Sequence, residues 1–199
     1  ILVKNGGRLV LVSGVICQNT AKAGGGVYVE ADGHFEMTGG EISYNTSTNV
    51  KSAGGGGVAI DDGAEFNLSS GKISNNASYI QGGGVFTNGT MSMSGGEISE
   101  NKAPAGAGVM TNKNSFTMTA GVIKNNVANC EDNITNGGTF NNALGGGVKA
   151  ANSTFNFYGG EISGNCVKST DVTTLSNVTT SVTEMGMCDG GGIHVRNSA

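Results

Sequence analysis

Apolar residues recur along the chain in pairs separated by one position. Leu9/Leu11, Phe35/Met37, Phe66/Leu68, Met91/Met93, Phe116/Met118 and Phe155/Phe157 are such pairs, and each is followed by a lone isoleucine: Ile16, Ile42, Ile73, Ile98, Ile123 and Ile162. In every copy the isoleucine lies seven residues after the first member of its pair (16 − 9, 42 − 35, and so on). Alternation with period two predicts strand rather than helix. The isoleucines sit in "SGVICQN" (13–19), "GGEISYN" (39–45), "SGKISNN" (70–76), "GGEISEN" (95–101), "AGVIKNN" (120–126) and "GGEISGN" (159–165). A further apolar run opens each unit: "GGGVYV" (24–29), "GGGVAI" (55–60), "GGGVFT" (82–87), "GAGVMT" (106–111), "GGGVKA" (145–150) and "GGGIHV" (190–195). Ile1-Leu2-Val3 fills the same slot at the start of the chain.

The unit therefore carries three short alternating runs, V-x-V, F-x-M and x-I-x, separated by glycine and asparagine corners. Internal repetition of this length is the signature of a solenoid. The pattern predicts an all-β fold, a right-handed parallel β-helix of about six full coils plus a truncated seventh. Equivalent positions of successive coils should stack at the interstrand spacing of about 4.8 Å. A left-handed helix would show a hexapeptide rhythm, and a propeller would need units of about 40–45 residues; neither is present. The whole of 1–199 reads as one β-helix domain. Both ends break within a repeat, so the chain is expected to be a stretch of a longer protein.

Glycine pairs suit corners that need φ > 0. Asn19, Asn45, Asn76, Asn101, Asn126 and Asn165 recur at the far corner, where asparagine tolerates a left-handed bend and its amide can bond the copies above and below as a ladder. Glu41, Lys72 and Glu97 share one slot in three consecutive coils, which predicts an outward column of alternating ion pairs.

Composition narrows the function. Glycine is abundant, at 36 of 199 residues, yet without the G-X-Y period of collagen. Charged residues make up 13% and the net charge is −4, which argues against a nucleic-acid partner. No apolar run reaches the ~20 residues of a membrane-spanning helix. A surface built from Ser, Thr and Asn suits an extracellular setting.

No constellation reads as catalytic. Glu30, Asp32, Asp61 and Asp62 lie after the first run of two adjoining units; four carboxylates so placed suggest a calcium site, while "EADG" and "DDG" are also ordinary turns. No other cofactor is expected. His34 and His194 fall far apart, as surface residues, and Tyr28 and Phe86 should face outward. The distance from the corner asparagine to the next first-run residue is 8 at Asn19 (27 − 19) but 22 at Asn126 (148 − 126) and 28 at Asn165 (193 − 165). Insertions 127–144 and 166–189 therefore leave at the same corner of neighbouring coils, the kind of place where repeat proteins build binding surfaces. The candidate contact residues there are Asn133, Phe140, Asp171, Thr173, Thr174, Asn177, Thr179 and Thr180. Cys166 and Cys188 bracket the second insertion and are the preferred disulfide, with Cys130–Cys166 as competitor; Cys17 is expected unpaired.

The coupling of "GGGV" to "IxxN" is similar to the GG-[AI]-I and FxxN repeats of chlamydial polymorphic membrane proteins, and it resembles the Gly/Thr-rich β-helix repeats of adhesin-like surface proteins of gut bacteria and archaea. The likeness covers nearly the whole chain. It departs at the FxxN aromatic, which here is Ile42, Ile98 and Ile162. The resemblance implies a secreted or surface-displayed adhesive stalk and carries over no catalytic residue. The expected function is a non-enzymatic structural or adhesive module at the cell surface whose partner is a host or microbial surface protein or glycan. The alternatives are a fibre subunit stacking end to end on copies of itself, and a polysaccharide-active or glycan-binding β-helix.

Overall fold

The structure, a computed structural model, describes residues 1–130, 136–137, 142–168 and 188–196. Among these residues every regular element is a β-strand, and nearly all pair in parallel with the next coil. Three sheets run along a solenoid. The first face has seven strands, from Leu2–Val3 through Val27–Val29, Val58–Ile60, Val85–Thr87, Val109–Asn112 and Val148–Ala151 to Ile193–Arg196. The second face is built around ten-residue strands, His34–Ser43, Glu65–Ser74, Thr90–Ser99 and Ser115–Lys124. The third has six short strands, among them Thr46–Ser47, Ala77–Ser78, Lys102–Ala103, Val127–Asn129 and Cys166–Lys168. The predicted parallel β-helix is the fold.

Its coils are divided differently from the sequence expectation. The F-x-M and x-I-x runs do not form separate walls; they belong to one long strand that bends at the glycine pair. Pairing slips there, between Met37, Thr38 and Glu41 against the next coil. Gly71 marks the bend with φ +99, and a Cβ at this position would stand 2.7 Å from Met37 Cε and 2.8 Å from two carbonyl oxygens of the coil below. Glycine is required here both for its backbone angle and for space. The third wall is instead the short run that follows the asparagine.

Because pairing is in register, like residues stack. Phe35, Phe66, Met91 and Phe116 align, as do Ile42, Ile73, Ile98 and Ile123, and all eight are fully buried. The rings of Phe35 and Phe66 stack at 4.8 Å, and so do those of Phe116 and Phe155. Burial of each such side chain contributes roughly 1.5–3 kcal/mol, and no coil could hide these groups alone.

The corner asparagines form the predicted ladder. Nδ2 of Asn19, Asn45, Asn76, Asn101 and Asn126 donates to Oδ1 of the next asparagine at 2.9–3.1 Å. The backbone N–H of each donates to the same oxygen. The second amide hydrogen reaches back to the isoleucine carbonyl of the preceding coil, as from Asn76 to Ile42 at 2.8 Å. The left-handed residue is not the asparagine, as the sequence suggested, but its predecessor: Gln18, Tyr44, Asn75, Glu100 and Asn125 have φ of 55–58°. That bend turns the asparagine side chain inward, where its amide lies buried between coils.

The insertions are shorter than expected at their starts. Val127–Asn129 pairs in register with Cys166–Lys168 on the third face, so the solenoid continues to residues 129 and 168. The chain rejoins it at Ala143–Leu144 and Cys188–Asp189, which pair with one another.

Replacement of Asn76 by alanine removes the acceptor for two N–H groups of Asn45 and the donor to Ile42 in a corner without solvent access. Each orphaned buried group costs about 1–3 kcal/mol. Asn76→Ala should therefore lower unfolding free energy by about 3 kcal/mol or more, read as a loss in denaturant midpoint with the m-value retained.

Candidate functional site

The four carboxylates suggested for calcium do not converge. Asp61 accepts the Tyr28 hydroxyl at 2.7 Å. Asp62 turns to Lys113 at 3.0 Å and the Asn114 amide at 2.9 Å. Glu30 accepts the backbone N–H of Asn5, and Asp32 occupies a left-handed turn with φ 57°. Among the described residues no three His, Cys, Asp or Glu side chains come together to hold a metal. Neighbouring donors draw Glu30, Asp61 and Asp62 each into its own contact.

The charged column on the second face is real but differently wired. Glu41, Lys72, Glu97, Val122 and Glu161 align. Lys72 Nζ lies 3.3 Å from Glu97, and Lys124, one slot aside and level with Ser99, reaches Glu97 at 2.8 Å. Lys124 first, then the Ser99 hydroxyl at 2.7 Å and Lys72, hold the Glu97 carboxyl down at about 2. His34 is an exposed residue whose Nδ1 lies 3.2 Å from Glu65. These contacts tie coil to coil.

The expected disulfide is absent. Cys166 is a free thiol, bridging neither Cys188 nor Cys130. The alternation of its strand explains this: Val167 packs inward against Ala107, Ala128, Cys130 and Ala143, which turns Cys166 to the other side. The side chain of Cys188 lies outside the described residues, as do Asn133, Phe140, Asp171, Thr173, Thr174, Asn177, Thr179 and Thr180. Cys17 is exposed and free, as expected.

The outer side of the first face differs most from expectation. Its outward residues run Leu2, Tyr28, Ala59, Phe86, Met110, Lys149, His194 in unbroken register. Phe86 points outward as predicted, yet it is only 3% exposed, and Met110 is 4% exposed. The chain entering each strand doubles back over this row. A Cβ at Gly82 would lie 2.7 Å from that of Phe86, and one at Gly106 would lie 2.8 Å from that of Met110. Bridges from Gln81 to Ala105 and from Ala105 to Leu144 continue the cover from coil to coil. The row is a second, thinner packed layer, and offers no aromatic platform for a sugar. Tyr28, half-buried at its edge, is pushed up to about 12 by burial and by its bond to Asp61.

Lys149 stands in this apolar row, buried between Met110 and His194. Its ammonium is pushed down to about 8, chiefly by desolvation and then by the Arg196 guanidinium, with the Cys130 thiol acting in the opposite sense. Cys130 is buried at the point where the first insertion begins. Perturbed titratable groups mark functional sites more often than ordinary surface does. Lys149 at the root of the insertions is therefore the candidate site. Sequence reasoning passed it over as one residue of a repeat slot; the signal was a lysine in a column otherwise filled by Leu, Tyr, Ala, Phe, Met and His.

Three pH dependences follow. Glu97 is held below its unfolded value, so its contribution is present above about pH 4.5 and is lost as pH falls toward 2. With 27% of the side chain exposed, solvent screening limits it to about 1 kcal/mol; Glu97→Gln should flatten this acid limb in urea titrations. Lys149 titrates lower in the folded chain than in the unfolded one, so stability should rise from about pH 8 to 10.5. Lys149→Met should abolish that rise. Tyr28 acts in the opposite sense at higher pH, its contribution being lost as pH climbs from 10 through 12.

Compared with models of known families, with curated proteins and with solved structures, the chain matches none.

Proposed function

We propose that this chain is a non-enzymatic structural module of a secreted or surface-displayed protein, which presents its two insertions as one adhesive lobe. The reading rests on one observation: the strands flanking both insertions are paired in register, Val127–Asn129 with Cys166–Lys168 and Ala143–Leu144 with Cys188–Asp189. Both excursions thus leave and re-enter the solenoid at one corner of adjacent coils, whereas the earlier coils turn this corner in a few residues. A rigid stack that carries its length variation at one corner supplies what recognition needs, a fixed support under variable chain. The polar Ser/Thr/Asn composition and the surface ion pairs are compatible with display outside the cell. The partner class is a host or microbial surface protein or glycan.

The test is deletion of 169–187 with a short Gly/Ser closure. Because Cys166–Lys168 and Cys188–Asp189 remain, far-UV CD and the thermal midpoint should stay within a few degrees of the parent. Binding to cell surfaces or arrayed glycans should disappear. If the parent chain binds and the deletion binds equally well, the lobe is not the adhesive element.

A further inference from the structure

The chain contains three Asn-Gly dipeptides, beginning at Asn5, Asn88 and Asn136. In such a pair the asparagine side chain closes most readily on its own backbone, because glycine puts no Cβ beside the attacking nitrogen. The fold treats the first two in opposite ways. The third, Asn136-Gly137, is flanked on both sides by residues outside the described ones.

Asn88-Gly89 is locked between coils. The Asn88 N–H donates to the Ile60 carbonyl at 2.9 Å, and the Asn88 carbonyl accepts Asn114 Nδ2 at 2.7 Å. Its side-chain oxygen accepts Asn112 Nδ2 at 3.1 Å. Gly89 is buried, its carbonyl takes the Thr87 hydroxyl at 2.9 Å, and a Cβ there would run into the carbonyl oxygens of Ala64 and Asp61. Rotating this side chain or peptide breaks bonds to the coils on both sides.

Asn5-Gly6 forms the turn between Leu2–Val3 and Arg8–Leu11, closed by the Gly7 N–H on the Lys4 carbonyl at 2.7 Å. Both residues are exposed. Gly6 has φ +68, and no atom lies within 4 Å of the place a Cβ would take. The Asn5 N–H donates to Glu30 Oε2 at 3.2 Å, an exposed contact. Turns held by exposed hydrogen bonds open at low free energy.

We propose that Asn5 is a self-modifying site, which converts through a succinimide with Gly6 to aspartate and isoaspartate. The Gly6 nitrogen attacks Asn5 Cγ and loses its proton as the N–C bond forms. The Cγ–Nδ2 bond breaks, and Nδ2 leaves as ammonia. Water then opens the ring at either carbonyl, so that amide and water give carboxylate and ammonium with no redox change. Opening at Cγ yields aspartate; opening at the α-carbonyl yields isoaspartate, whose backbone carries an extra methylene. That methylene falls between Val3, buried in the core, and Gly7, whose carbonyl accepts the His34 N–H at 2.8 Å. It therefore loosens the first coil, while later coils keep their neighbours. The inference concerns the solenoid itself and stands independently of the adhesive role.

The experiment ages the intact chain in mildly alkaline buffer, with and without urea. Peptide mapping follows each asparagine, and isoaspartyl methyltransferase labelling reads the isoaspartate. In buffer Asn5 should convert at least about tenfold faster than Asn88, whose reaction waits on opening of its corner. In urea the two rates should converge. Amide exchange across residues 2–11 should quicken in the aged chain but not in aged Asn5→Gln, whose longer side chain must close a larger ring. An Asn5 rate no greater than that of Asn88 in buffer would overturn the proposal, as would a difference that persists in urea. Exchange that quickens equally in aged Asn5→Gln would also sink it, since the loosening would then arise elsewhere.

Discussion

Coil-to-coil stacking is the constraint from which the rest of this structure follows. A single winding of two dozen residues cannot surround a phenylalanine or satisfy the amide of a buried asparagine. Each does so only because an equivalent residue lies one coil above or below. The two requirements reinforce each other. The apolar columns fix the register, and the register brings each Asn Nδ2 within 2.9–3.1 Å of the next Oδ1. In return, the ladder penalises any slip, since a shift of one residue would orphan several buried amide groups at once.

That constraint also sets where variation is tolerated. On the second face, insertion would break long strands paired along most of their length. At the asparagine corner it would interrupt the ladder. The junction from the third face to the next first face carries only short pairings, and there the chain between coils ranges from a few residues to the excursions after Asn129 and Lys168. A recognition element grafted at that junction inherits a rigid base without disturbing either column.

The same junction creates the packed row that shelters Lys149. Chain doubling back toward the first face covers Phe86 and Met110 with little apolar surface to spare, and the lysine that continues their row is desolvated by the same cover. Lys149 is thus a local cost to stability, and such destabilised positions tend to mark function. The neighbouring charged groups behave otherwise. Glu97, Lys72 and Lys124 sit on a solvated wall and tie coils together without enclosing any reactive group.

The fold was legible in the sequence because a β-solenoid repeats its physics once per coil. Six isoleucines seven residues after six apolar partners encode register, core and the asparagine ladder, with no need of coordinates. Even so, the bend at the glycine pairs was read as a corner, and the left-handed residue was placed one position late, because glycine and asparagine suit either role locally. Whether Glu30, Asp32, Asp61 and Asp62 converge, which side Cys166 faces, and whether Phe86 meets water depend on how the chain between coils folds back over its neighbours. The covering turn recurs at the first glycine of each "GGGV"-type run, but a glycine does not by itself disclose which residue it packs against. The periodic sequence determined the stack and its interior; only the tertiary structure decided what covers the outer row, and hence the environment of Lys149.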